Sequence, residues 1–195
     1  MNERTPQQND AVSIPISTFP GNERLRLRLG ANAPSELTAL GNFDLLALSK
    51  TALFCSARCP GSVILAAYDQ AALWRDAGRC IISGFHSPVE KECLRILLRG
   101  SQPIILCPAR ALPKRIPAEW HTPLAEGRLL ILSGFAATEK RVTTELATRR
   151  NALVAALAND VCFAHITPGG QSELLTKRLT KWGVPFSSLK TQIIR

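Results

Sequence analysis

Short apolar runs recur along the chain from residue 51 onward: residues 51–55 (TALFC), 79–83 (RCIIS), 103–107 (PIILC), 129–133 (LLILS), 161–166 (VCFAHI) and 183–187 (GVPFS). Apolar and polar positions do not alternate within them, which predicts strands covered on both faces, as in a parallel sheet. Segments with helical spacing lie between the runs. Residues 62–77 put Val63, Ala67, Ala71 and Trp74 on one face and stop at Gly78. Residues 88–99 stop at Gly100, residues 139–158 form a long amphipathic stretch, and residues 171–182 stop at Gly183. The Pro-containing link 108–128 is irregular, with one helical turn around residues 119–124. This succession predicts an α/β fold: a Rossmann-like, doubly wound, mostly parallel sheet with helices on both faces. Upstream, LRLRL (25–29) alternates and reads as a short edge strand, whereas SELTALG (35–41) reads as one capped helical turn ending at Gly41. The organisation expected is a flexible N-terminal tail and lead-in over 1–39, the sheet domain over 40–190 and a C-terminal tail over 191–195.

A chain of 195 residues that is 46% hydrophobic suffices for one domain with its own core, without disulfide or metal staples. No apolar run approaches the ~18 residues of a membrane helix. The start, MNERTPQQND, lacks the apolar core of a secretory signal. The expectation is a cytoplasmic protein without a membrane partner. Its six Cys fit a reducing compartment: Cys55, Cys80, Cys107 and Cys162 sit in apolar runs, and no second pair follows Cys55 and Cys59 at zinc-site spacing. No metal site is expected. Residues 1–50 are charge-neutral, so the whole net charge of +9 lies in residues 51–195, and 17 of the 24 basic residues are Arg. Arg presents a planar fork suited to phosphate, so the charge points to an anionic partner, a nucleic acid or a nucleotide.

Ligands of doubly wound sheets bind at the carboxyl ends of the strands, over helix N-termini. The residues just past each apolar run are therefore the candidates. They include Ser56 and Arg58 after the first run, Ser83, Gly84 and His86 after the second, and Arg110 after the third. Arg149, Arg150 and Asn151 lie on the helix after the fourth, Gly169 and Gly170 follow the fifth, and Lys177 is on the next helix. Backbone N–H groups at Gly and Ser cradle oxyanions and Arg closes over them. Phe85 and Trp120, in loops, are candidates for stacking on bases, whereas Trp74 reads as helix core. No G-x-G-x-x-G and no G-x-x-x-x-G-K-[ST] is present, which disfavours dinucleotide binding and P-loop hydrolysis; no cofactor is expected.

Several of these segments together resemble the DNA-processing protein A (DprA, also called Smf) family. Gly41-Asn-Phe-Asp-Leu-Leu46 is similar to the family's G-N segment, Ser56-Ala57-Arg58 to its G-S-R turn, and Ser83-Gly84-Phe85 to its S-G-[LM] turn. Residues 150–160 (RNALVAALAND) resemble its R-N-R-I-I-A-G-L-S-D helix. The resemblance implies a Rossmann core that binds single-stranded DNA, works as a homodimer, and hands DNA to a recombinase in recombination and natural transformation. Three segments depart from the pattern: residues 86–90 (HSPVE) replace A-R-G-I-D, Gly134 replaces a Glu, and Pro168-Gly169-Gly170 replaces S-G-S. Pro168-Gly169-Gly170-x-x-Glu173 also resembles the P-G-G motif of cytokinin-activating phosphoribohydrolases. That likeness implies an alternative, a nucleotide sensor or a phosphoribohydrolase-like enzyme using Arg150 and Glu173.

Overall fold

A computed structural model of the chain describes residues 11–19 and 21–189. Eight strands form one sheet: β1 (Val12–Pro15), β2 (Glu36–Gly41), β3 (Lys50–Cys55), β4 (Cys80–Ser83), β5 (Ile104–Leu106), β6 (Leu129–Ser133), β7 (Asp160–His165) and β8 (Phe186–Ser188). Their order is β1-β2-β6-β5-β4-β3-β7-β8. Pairing is parallel from β6 through to β8, and antiparallel for β1 with β2 and β2 with β6. Six α-helices accompany them: α1 (Asn22–Leu29), α2 (Gly61–Asp76), α3 (Pro88–Leu98), α4 (Ala118–Ala125), α5 (Thr144–Leu157) and α6 (Gln171–Trp182). The architecture is the α/β, mostly parallel, Rossmann-like sheet that the apolar runs predict.

Strand side chains alternate between two cores, because successive Cβ atoms point to opposite faces. Ala52, Phe54, Ile82, Ile105, Leu130, Val161 and Phe163 join one core with residues of α1, α5 and α6. Leu53, Ile81, Ile104, Leu129, Ile131 and Cys162 join the other with residues of α2, α3 and α4. The chain therefore runs outward through β3, β4, β5 and β6 with its crossover helices on one face. It then returns across the other face on α5 and places β7 beside β3. Strand order reverses there, and that crevice is where open α/β sheets take ligands.

The lead-in differs from the sequence expectation. Residues 25–29 form the end of α1, not an edge strand, because Leu25 and Leu29 are one helical turn apart and both are buried. Residues 36–41 form β2, not a helical turn, because pairing with β1 and β6 buries Leu37 and Ala39. The sheet thus starts upstream of residue 40, at Val12 among the described residues, whereas residues 1–10 and 191–195 of the expected tails lie outside them. Among the described residues no helix is long and apolar enough to cross a membrane.

Candidate functional site

Two adjoining cavities open along the carboxyl ends of the parallel strands. The first, about 500 Å³, lies at the β3/β7 crevice and is lined by Ser56, Arg58, His86, Arg150, Asn151 and Gly170, together with Glu90 and Thr167. The second, about 400 Å³, is lined by Gly84, His86, Arg110 and Arg150, with Trp120 at its side. His86 and Arg150 belong to both linings. Candidates read from five separate turns are thereby brought to one edge of the sheet.

Arg150 is the centre of this arrangement. Its side chain leaves α5 toward the strand ends and is 4% exposed. Nε donates to Asn151 Oδ1 at 2.8 Å and Nη1 donates to the Cys107 carbonyl at 3.2 Å. Among the described residues no carboxylate lies within salt-bridge distance of it. Burial lowers its pKa from the ordinary Arg value, partly offset by the charge of Glu90. A buried cation lacking a contacting anion is costly to keep, since desolvation is offset only by hydrogen bonds. Gly84 provides the seat: a Cβ there would overlap the Arg150 guanidinium. Gly84 thus serves the approach of a side chain rather than that of a ligand to its own backbone.

The backbone amides of the turns are largely committed within the chain. Glu90, 5% exposed on α3, accepts from Cys55 N–H at 2.8 Å through Oε1, and from His86 N–H at 2.8 Å and Ser87 N–H at 3.1 Å through Oε2. Glu173 accepts from Gly169 N–H at 2.6 Å, and Glu139 from Ala136 N–H at 2.8 Å. Carboxylates from the chain itself thus occupy anion positions at three turns, and the expectation of bare amides at Gly169 and after β4 does not hold. What faces the first cavity is side-chain chemistry, namely the exposed groups of Arg58 and His86, the Arg150 fork and the amide of Asn151. Two polar atoms of the lining residues, Thr167 Oγ1 and Trp120 Nε1, are buried without a hydrogen-bond partner among the described residues.

Other candidates have structural roles. Ser83 is fully buried; its hydroxyl donates to the Leu53 carbonyl at 2.8 Å and accepts from Phe85 N–H at 3.1 Å. Ser133-Gly134-Phe135 repeats the arrangement, with Ser133 donating to the Arg110 carbonyl and accepting from Phe135 N–H. Phe85, expected to stack on bases, is a core residue held at φ +44°, a conformation that phenylalanine rarely adopts. Ser56 Oγ accepts from Thr167 N–H at 3.0 Å and donates to Ser172 Oγ at 3.1 Å, tying β3 to the turn before α6. Arg149 points away from the crevice, 3.7 Å from Glu139 and over the Phe135 ring. Lys177 is exposed on α6 and lines neither strand-end cavity. Glu173 also stays out of the first cavity's lining while its carboxylate holds Gly169. Glu90 and Thr167 were not among the residues selected from sequence. Ser87-x-x-Glu90 behind Pro88 is a legible capping box, but its reach to Cys55 depends on the β3–β4 pairing.

No protein-family model and no curated protein sequence matches the chain. Solved structures do. DNA processing protein A (DprA) from Streptococcus pneumoniae superposes with a TM-score of 0.72 at 20% identity, over 94% of this chain. DNA processing protein A from Helicobacter pylori, described with its single-stranded DNA binding mode, gives 0.73 at 19% identity over 96%. The chain has the DprA fold. It spans 64% of the length of the S. pneumoniae chain and 84% of the H. pylori chain. A molybdenum cofactor binding protein from Rippkaea orientalis matches less closely, with a TM-score of 0.50 at 11% identity over 72% of this chain.

Proposed function

We propose that this chain is a DprA-type single-stranded DNA-binding protein whose phosphate contacts lie at the carboxyl ends of β3, β4 and β7. The observation that carries this assignment is Arg150, a buried guanidinium without a contacting carboxylate that lines both cavities. Arg58 and Arg110 flank it, one in each cavity, so a strand lying along the sheet edge would meet cations at successive phosphates. Trp120, half-buried at the side of the second cavity, offers a base an aromatic edge. The DprA fold adds support, since one protein that shares it is described as binding single-stranded DNA. A role in recombination or DNA uptake, with a recombinase as partner, a homodimer as the working unit and the cytoplasm as its place, belongs to the same proposal. The test is titration of fluorescent oligo-dT. Affinity is expected to fall with salt at a log–log slope of about −0.7 per phosphate contacted, and to fall sharply in Arg58→Ala/Arg150→Ala. Salt-insensitive binding, or a double variant that binds like the wild type, overturns the assignment. The nucleotide alternative would instead appear as thermal stabilisation by a nucleoside monophosphate that Arg150→Ala abolishes.

A further inference from the structure

A third cavity, about 690 Å³, lies away from the strand ends, between α1 and the C-terminal half of α6. Its cations are Arg24 and Arg28 from α1 with Arg178 and Lys181 from α6, and Trp182 and Asn32 complete the lining used here. Among the described residues none of these four cations is within salt-bridge distance of a carboxylate. Arg24 and Arg28 are spaced i, i+4 on one helix, a like-charge arrangement that disfavours the isolated helix. Arg28 is pinned there, donating through Nη1 to the Ala156 and Ala158 carbonyls at 2.8 and 3.0 Å. Its pKa is lowered by burial first and by the charge of Arg24 second. The folded chain therefore concentrates positive charge in a concave site, beside a half-buried indole, with no internal anion to neutralise it.

The groove and the strand-end site are linked by shared lining residues. A cavity of about 270 Å³ shares Asn151 and Gln171 with the β3/β7 cavity and shares Arg178 with the α1–α6 groove. The path follows α6 from Gln171 to Trp182, a rise of about 16 Å at 1.5 Å per residue. We propose that single-stranded nucleic acid leaving the strand-end site runs along α6 into the α1–α6 groove. There Arg24, Arg178 and Lys181 take its phosphates, and Trp182 offers a face to a base. At 3.4 Å per stacked nucleotide the extension accommodates about five nucleotides. This extension rests on the strand-end assignment above and lengthens it.

Anisotropy titrations with dT6 and dT12 over a series of salt concentrations separate the two. In the wild type dT12 is expected to bind more tightly and with a steeper salt slope than dT6. Arg178→Ala/Lys181→Ala, two exposed positions, is expected to leave dT6 binding intact and to flatten the dT12 slope by about 1.4, two contacts at about 0.7 each. A dT12 slope that does not change in this variant, or dT6 and dT12 weakened alike, overturns the extension while leaving the strand-end assignment standing. Wild-type protein that binds neither oligonucleotide removes both.

Discussion

Gly84 and Arg150 act as a pair: one supplies the space that the other's guanidinium fills. Gly84→Ala displaces the end of the Arg150 side chain into the adjoining cavities, and is expected to cost less than about 1 kcal/mol while weakening oligonucleotide binding. Added to Arg150→Ala, where the overlap is gone, Gly84→Ala is expected to cost no further stability and to restore none of the binding, a coupling that urea denaturation of the single and double variants measures. Arg150→Met separates the two properties further. Removing a buried charge that lacks a contacting carboxylate is expected to cost less than about 1 kcal/mol, while oligo-dT binding collapses. A large loss of stability in Arg150→Met would make this side chain a structural strut instead. Arg150 was legible in sequence as one of several Arg past the strands, but its distinction from Arg149 was not. Adjacent residues on a helix point about 100° apart, and only the packing of α5 decides which one enters the crevice. Ser83 was misread for a related reason: a hydroxyl after a strand suits a ligand and a neighbouring carbonyl equally well.

The elements around the site are joined by Glu90, which connects the end of β3 with the N-terminus of α3 through three backbone donors. Glu90→Ala leaves those donors without their acceptor and is expected to cost about 2–4 kcal/mol. An added anion should then refill the place. Acetate or phosphate is expected to raise the melting temperature of Glu90→Ala more than that of the wild type, and equal responses would contradict an internal anion at this turn. The central elements were readable because β3, β4, β5 and β6 are buried throughout, leaving mainly apolar runs without the alternation of a half-exposed strand. The lead-in was not readable. Leu25, Leu27 and Leu29 satisfy a strand's alternation as well as a helix's i, i+4 spacing, and Leu27, at 86% exposure, takes no part in the core. Residues 35–41 carry a helical cap signal, yet β2 is fixed by pairing with β6, which is distant in sequence.

Across the whole molecule the buried thiols set the response to alkali. Burial raises Cys80 and Cys162 from 9.0 to about 11, and Cys93 and Cys107 to about 12. Above pH 9 the unfolded chain releases thiol protons that the folded chain keeps, so it binds fewer protons and stability falls as pH rises. Each thiol contributes up to about 1.4 kcal/mol per pH unit in that window. Burial raises the Cys55 thiol as well, so Lys50, whose pKa burial lowers, acts in the opposite sense as one group against five. Urea midpoints are therefore expected to drop between pH 8 and pH 10, and a level or rising midpoint would contradict this balance. Charge organises the molecule on the same scale: Arg58, Arg110 and Arg150 meet along the strand ends, and Arg24, Arg28 and Arg178 meet beside α6. The sequence could place Arg58 and Arg110 after their strands but could not show that Arg24 and Arg28 of the lead-in meet Arg178 across a groove, because that contact depends on the fold. The most direct measurement compares single-stranded DNA, duplex DNA and free nucleotides for binding to the full chain at two salt concentrations. The single strand is expected to bind tightest and to lose the most affinity at higher salt. A nucleoside monophosphate that binds as tightly as the oligonucleotide, with little dependence on salt, would contradict this expectation.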